Sequence, residues 1–490
     1  MGKVSEKPEL QGRETLAPLP GRQWWQQDSV TLVRLASVVG LIAAVFLYLA
    51  WRATPPTVLG TSSCDTRPSW LEPGRTPAPS SVHTIEQAYN CILDTYPATL
   101  DNRRLLQYAM AGLVGYLVQQ HQDQHNAVLP ALTGNRQTDW QAFQKTYTTM
   151  TAHLSLNQQS LVGAAITEMV NGLHDNHAHY IPFSNLNTGG SASQPNTQMG
   201  LGIVLSFDPD QLADAAPPLY ILGVDPGSPA EQAGLRPGDI IVTINGLSPF
   251  ISQKPVSEII NQLSDSKPVQ LQIQHPGAAD TKNVRLIAAA YPALPLASKR
   301  LLPGNILYVR LTRFKTGVAD QIRRAVQEAG AAQLKGLILD LRGNGGGDVE
   351  EQRRVISMFV HNQIIASFVD KQGQRTDQRT NDSLPLFHIR LVALIDRGCA
   401  SACDATATDI HDLHLGRLVG ERTAGAVSGP STDLFLDDGG VIGLPVAFMQ
   451  GPAGEIVDGI GVPPDDEVHP TPQALAAGHD PVLEKALQDL

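Results

Sequence analysis

The sequence has no surplus of basic charge. Its 490 residues carry 36 Lys and Arg against 47 Asp and Glu, a formal net charge of −11. It therefore lacks the basic footprint a nucleic-acid partner would require. Internal repeats are missing, so a repeat array is set aside. The glycine run Gly345–Gly347 follows an apolar segment, Leu334–Leu341, but no Gly-Lys-Ser/Thr continues it. That excludes a phosphate-binding P-loop. Cysteine is scarce: Cys64, Cys91, Cys399 and Cys403 are the only four.

Long apolar runs are scarce too, with one exception. Leu35–Trp51 is nearly continuous, bounded by Arg34 and Arg52. With Val30–Val33 it reaches the roughly 20 residues needed to cross a bilayer. A cleaved signal peptide fits less well, since the preceding segment is long and no Ala-x-Ala precedes Pro55-Pro56. A buried core helix is the bland alternative. Lys3, Lys7, Arg13 and Arg22 precede the run and favour that end in the cytoplasm. The expectation is a cytoplasmic tail at 1–29, a single signal-anchor helix at 30–52 and an extracytoplasmic body.

A chain of this length should hold two or three globular units. Residues 53–82 are rich in Pro, Ser and Thr and read as a stalk. Cys64 and Cys91 would face an oxidising compartment, where pairing is open to them. Helical periodicity dominates 83–183, as in Leu105, Met110, Leu113 and Leu117. A Gly- and Ser-rich stretch, 184–198, reads as a flexible link. From 300 to 490, strands such as Ile306–Leu311 alternate with helices such as Ala319–Ala329, the pattern of an α/β sheet with covering helices. A hairpin-like stretch, Leu434–Val457, precedes a terminal helix, Pro481–Leu490.

The chemistry centres on Gly398-Cys-Ala-Ser401-Ala-Cys-Asp404. An apolar run, Leu391–Ile395, leads into it, and Thr406, Ala407 and Ile410 continue at helical spacing. A serine on a strand-to-helix turn presents its hydroxyl beside free N–H groups that can meet an oxyanion. The plain alternative is a tightly packed turn of small residues.

Four ordered motifs, Leu339–Gly347, Gly398–Asp404, Gly416–Thr423 and Gly459–Asp465, resemble those of the carboxyl-terminal processing (tail-specific) serine proteases. The resemblance covers roughly Ile85 to Leu490 and implies Ser401 as nucleophile. That family's lysine base falls on Ala426, and its assisting glutamine on Pro430. A Ser–Lys dyad is therefore excluded, which leaves another base or no catalysis. A distant branch, the tricorn-core-like proteases, carries a histidine on a Leu-x-x-x-His segment. Leu173-His-Asp-Asn-His177 places His177 there. The acid of that branch, just before the Gly-x-Gly-Val-x-Pro-Asp motif, corresponds to Asp458. The implied triad is Ser401, His177 and Asp458, with the N–H groups of Gly346 and Ala402 as the oxyanion hole.

The substitution is chemically coherent, because histidine titrates near neutrality without the desolvation a lysine base needs. Rival readings stand beside it. His174, His177 and His179 could be surface or packing residues, or zinc ligands if all three rings converged. Asp458 could simply stabilise a glycine-rich turn. Cys399 and Cys403 are expected to be buried thiols, and Asp412 a structural acid.

Met199-Gly-Leu-Gly-Ile203 and Val224–Gly246 resemble a PDZ domain, placed at 199–290. Gly200, Leu201, Gly202 and Ile203 would form a nest for a terminal carboxylate, and the peptide would add as a strand. Ile203 and Leu205 would line its groove; a PDZ fold kept as spacer or lid is the alternative. Together these features imply a membrane-anchored serine endopeptidase acting on proteins or peptides with free apolar C-terminal tails, with no cofactor and no metal. A catalytically inactive PDZ-bearing scaffold is the rival. Oligomeric state is left open.

Overall fold

Four helices of the N-terminal region each begin at a polar side chain that accepts an N–H of the first turn. Ser81 opens α1 (Val82–Thr95), Asp101 opens α2 (Asn102–Gln119), Asn135 opens α3 (Arg136–Thr151) and Asn157 opens α4 (Gln158–Asn171). Each cap contributes about 1 kcal/mol. The computed structural model describes residues 64, 76–123, 125–186, 197–207, 216–264 and 267–490. The tail expected at 1–29 and the membrane helix at 30–52 lie outside the described residues. Among the described residues, no helix is long and apolar enough to cross a membrane.

The helices bury Ile85, Ile92, Leu106, Leu113, Leu161 and Met169 in one core. Helices α2 and α4 approach closely because residue 112 is glycine: a Cβ there would lie 2.3 Å from the Ala164 carbonyl oxygen. A disulfide ties Cys64 to Cys91 of α1. The region does not stay helical to 183. After α4 the chain turns through Asp175–His177 into β1 (His179–Ile181), which pairs antiparallel with Val441–Pro445. Leu434, Leu436, Ile442 and Leu444 of that distant hairpin complete the helical core. Even the end of the expected stalk is docked, with Ala78 N–H donating to the Asp437 carbonyl at 2.8 Å and the Ser80 hydroxyl to Asp438 at 2.6 Å.

The next unit is built from short antiparallel strands: β2 (Thr197–Gly200), β3 (Ile203–Leu205), β4 (Ile221–Val224), β5 (Ile240–Ile244), β6 (Val269–Gln274), β7 (Thr281–Leu286) and β8 (Ala289–Pro292). Strand β2 pairs with β8, β3 with β4, and β6 lies between β5 and β7. Their core holds Leu219, Ile221, Ile241, Ile260 and Leu271.

The C-terminal part begins with β9 (Ala297–Leu302), β10 (Ile306–Leu311), α5 (Val318–Glu328), β11 (Gly336–Asp340) and α6 (Val349–Ile356). There follow β12 (Ile364–Asp370), β13 (Arg375–Arg379), β14 (Arg390–Ile395), α7 (Ala402–Asp412) and β15 (Arg417–Gly420). The chain closes with β16 (Ser431–Phe435), β17 (Val441–Pro445), β18 (Ala447–Gln450), β19 (Asp466–Glu467) and α8 (Pro481–Gln488). Six strands form one sheet in the order β9-β10-β11-β14-β15-β19, parallel except for the first pair. Leu337, Ile338 and Leu339 run as an unbroken apolar string because both faces of the sheet are covered. Loops at the carboxyl ends of such strands are where sites form. The β14–α7 loop carries Ser401.

Candidate active site

Between Ile395 and Ala402 the chain reverses sharply, and Ser401 adopts φ 58°, ψ −118°. A non-glycine residue held there costs about 1–3 kcal/mol unless its surroundings fix it. They do. The Ser401 N–H lies 2.9 Å from both the Ala426 carbonyl and Asp404 Oδ2. Ala400 N–H donates to the Asn344 carbonyl at 3.0 Å, and Ala424 N–H to the Cys399 carbonyl at 2.9 Å. The Ala402 N–H opens α7, so no carbonyl four residues back can accept from it. A half-buried hydroxyl beside a free helix-start N–H is the geometry of a nucleophile elbow.

Three residues not among the expected site residues, Asp404, Asp396 and Asn344, build this elbow. Asp404 accepts from Ser401 N–H and Ala426 N–H on Oδ2, and from Gly425 N–H on Oδ1 at 2.9 Å. Burial pushes its carboxyl above the ordinary value. An acid three residues past a helix start is a known N-terminus signal, so Asp404 could have been read. Asp396 accepts from Gly343 N–H at 2.8 Å and Gly398 N–H at 3.0 Å, clipping the glycine-rich loop to the elbow. Burial raises its pKa to about 6. Asn344 donates to the Leu311 carbonyl and accepts from Gly346 N–H, each at 2.9 Å. No local pattern marks Asp396 or Asn344.

Gly346 reaches the elbow as expected of a residue with no side chain. A Cβ on it would lie 2.7 Å from Ser401 Cβ and 2.8 Å from the Ala402 nitrogen, at a φ of 85°. Its N–H, however, is turned to Asn344 Oδ1. Of the two expected oxyanion donors, the Ala402 N–H stands at the helix start, while that of Gly346 is engaged elsewhere in this conformation.

The expected buried thiols are corrected. Cys399 and Cys403 are both fully buried, but they form a disulfide with Cα atoms 5.2 Å apart. The reversal at Ser401 brings the first turn of α7 back against the arriving strand, and so brings the two sulfurs together.

His177 lies in the turn between α4 and β1. Its Nδ1 is buried without a hydrogen-bond partner, and burial lowers its pKa, against a weaker opposing effect of Asp175. Among the described residues, Asp175 is the carboxylate within ion-pair reach: its Oδ1 is 3.8 Å from Nδ1 and accepts the His177 backbone N–H at 2.9 Å. The Tyr96 hydroxyl holds the other oxygen at 2.9 Å. No hydrogen bond joins the His177 ring to Ser401 or to Asp458. Asp458 accepts from Val427 N–H, while Gly459 N–H donates to the Gly425 carbonyl at 2.7 Å. Burial, then the charges of Asp175 and Asp404, raise Asp458 to about 6. His174 packs edge-on to Tyr108 and His179 lies over Gly443, so the three rings part. Among the described residues no group of three metal-ligating side chains converges. Asp412 accepts from Ala453 N–H at 3.2 Å, which binds the C-terminal end of α7 to the loop before Asp458.

A groove of about 360 Å³ opens beside this elbow. Leu201, Gly202, Ile203 and Leu205 line one wall, and Gly343, Arg397, Gly398 and Glu421 line the other. Gly200, the remaining residue of the expected nest, ends β2 opposite Ala289, outside that lining.

Comparison with known proteins agrees with this architecture. Residues 305–468 match the model of peptidase family S41, and residues 220–274 match a PDZ domain model. A chloroplastic C-terminal processing peptidase of Tetradesmus obliquus is 32% identical over 285 residues, covering 55% of this chain and 60% of that protein. A probable CtpA-like serine protease of Staphylococcus aureus (strain MRSA252) is 25% identical over 315 residues, 63% of this chain and 60% of that one. The chain thus spans about 60% of the length of these curated relatives. The solved photosystem II D1 C-terminal processing protease shares the fold at a TM-score of 0.51 and 24% identity, over 80% of this chain and 94% of its own. From these matches and the fold that carries them, residues 305–468 are similar to peptidase family S41, with a region similar to a PDZ domain at 220–274 ahead of them.

Proposed function

We propose that the chain is a serine endopeptidase that cleaves proteins or peptides near exposed apolar C-terminal tails, which its PDZ domain recruits. The observation that carries the reading is the elbow: Ser401 at φ 58° between a parallel strand and the first N–H of α7. In this mechanism Ser401 Oγ attacks the scissile carbonyl, and His177 takes the serine proton and passes it to the leaving amine. Asp175, the carboxylate within reach of Nδ1, orients the imidazolium, and the Asp458 carboxylate supports its charge. The N–H groups of Ala402 and Gly346 hold the oxyanion, each such donor contributing on the order of 10²–10³ in turnover. Two movements complete the site on substrate binding: His177 closes on Ser401, and Gly346 N–H leaves Asn344. Catalytic hydrogen bonds often tighten only with substrate bound.

The groove that joins the PDZ wall to Arg397 and Gly398 supports recruitment of a tail directly beside the elbow. Residues 30–52 anchor the chain in the cell membrane with its body extracytoplasmic. Two disulfides among four cysteines support an oxidising compartment.

The rival is an inactive PDZ-bearing scaffold, favoured by Ala426 and Pro430 at the lysine and glutamine positions and by a His177 Nδ1 without a hydrogen-bond partner. Mass-spectrometric cleavage of a protein with a disordered apolar tail separates the two. Cleavage by the parent, lost in both Ser401→Ala and His177→Ala, establishes the histidine-based protease. Tail binding without cleavage establishes the scaffold.

A further inference from the structure

The mechanism above makes no use of the Cys399–Cys403 disulfide. Its two residues stand two before and two after Ser401, with a sequence separation of 4. Such a cross-link removes little freedom from the unfolded chain, because loop-closure entropy grows with the logarithm of loop length. What it constrains is the turn inside it. That turn is where Ser401 sits in a backbone conformation L-residues rarely adopt.

The other ties on the elbow are hydrogen bonds, some local, as from Cys403 N–H to the Ala400 carbonyl and from Ser401 N–H to Asp404 Oδ2, and some to separate segments. Cys399 N–H meets the Asp396 carbonyl at 3.0 Å, Ala400 N–H reaches the glycine-rich loop at Asn344, and Ser401 N–H reaches Ala426. Cys403 belongs to the first turn of α7. The disulfide is thus the covalent link between the arriving chain and the helix start, and Ser401 and Ala402 lie between its ends. Both cysteines are without exposed surface, so the link is shielded in the closed fold.

We infer that the Cys399–Cys403 disulfide is a positioning element for Ser401. It holds Ser401 Oγ and the Ala402 N–H in a common reactive register, and opening it lowers turnover while leaving the fold and the tail groove in place. The inference rests on the proteolytic reading of Ser401. Opening is a two-electron reduction: a dithiol such as dithiothreitol becomes its cyclic disulfide, the S–S bond breaks, and Cys399 and Cys403 each take up one hydrogen as thiols. Ser401 is then free to relax toward negative φ, out of line with its two N–H acceptors.

The test uses the full chain in detergent, with kcat and KM for an apolar-tailed peptide and the rate of labelling by a fluorophosphonate. In the Cys399→Ala/Cys403→Ala variant, kcat should fall at least tenfold with KM within threefold. Labelling should slow in parallel while melting stays cooperative. In a Cys64→Ala/Cys91→Ala background, unfolding and refolding with dithiothreitol present should cause the same loss and reoxidation should reverse it, an arm that does not depend on how the Cys399→Ala/Cys403→Ala variant folds. A variant kcat within twofold of the parent overturns the inference alone, as does a joint decline of kcat, KM and melting. Alkylation of Cys399 and Cys403 in denatured, unreduced protein also overturns it. A parent with neither turnover nor labelling overturns the proteolytic reading, and this inference with it.

Discussion

The Asp175 carboxylate lies 3.8 Å from His177 Nδ1 on one side and accepts the Tyr96 hydroxyl at 2.9 Å on the other. Its side chain is 3% exposed, so it cannot turn away into water. A ring rotation that brings Nδ1 onto Asp175 leaves Nε2 for Ser401. Asp175→Asn should therefore lower kcat/KM roughly tenfold or more, in the range of a general-base contribution. Because Asp175 raises the His177 pKa, its removal should also move the acid limb of the pH–rate profile to lower pH. A fall in rate with an unmoved limb would leave Asp175 a packing residue.

The pH dependence has a definite sign. His177 must be neutral to act as base, and burial holds its pKa below 6.5. Asp458 must be ionised, and its pKa is about 6. Activity should rise between about pH 5 and 7 and then level off. Stability runs the other way for Asp458. Its folded pKa is raised above the ordinary 3.8, so the folded state binds the proton more tightly and loses ground as pH rises between the two values. Asp458→Asn should stabilise the protein at pH 7.5 by about 1 kcal/mol after solvent screening. The gain should vanish below about pH 4, as thermal melts across pH would record.

Asp396 receives both of its N–H donors on Oδ1. Asp396→Ala leaves the partly buried Gly398 N–H without its acceptor, at about 1–3 kcal/mol, and releases the glycine-rich loop from the elbow. Stability and kcat should both drop. Asp396→Asn keeps an oxygen in place and should retain most of both, as urea melts and peptide turnover would report.

The Cys64–Cys91 disulfide closes a sequence separation of 27. By loop-closure entropy it contributes about 3–4 kcal/mol. Removing it as Cys64→Ala/Cys91→Ala should lower the melting temperature of the helical core by several degrees. The contrast with Cys399–Cys403 is one of loop length: the longer cross-link restrains the unfolded chain, the shorter one a single turn.

Much of this protein was fixed by local pattern. The apolar run Leu391–Ile395, the small residues around Ser401 and the helical spacing after it specify strand, turn and helix whatever packs around them. The capped helices between 82 and 171 and the glycines of Met199–Ile203 are equally local, since each rests on a φ angle, a cap or a period of a few residues. Other features waited on the tertiary structure. The Cys399–Cys403 bond exists because the elbow folds back on itself. Asn344 takes the Gly346 N–H, and Asp175 rather than Asp458 stands at His177, because docking decided which groups meet. The helical region needs Ile442 and Leu444 to close its core, a contact some 270 residues away in sequence. Spacing along a chain encodes the conformation of each segment. Which hydrogen-bonding and covalent partners meet is set by how separate segments pack, where burial leaves each polar group only the partners its neighbours supply.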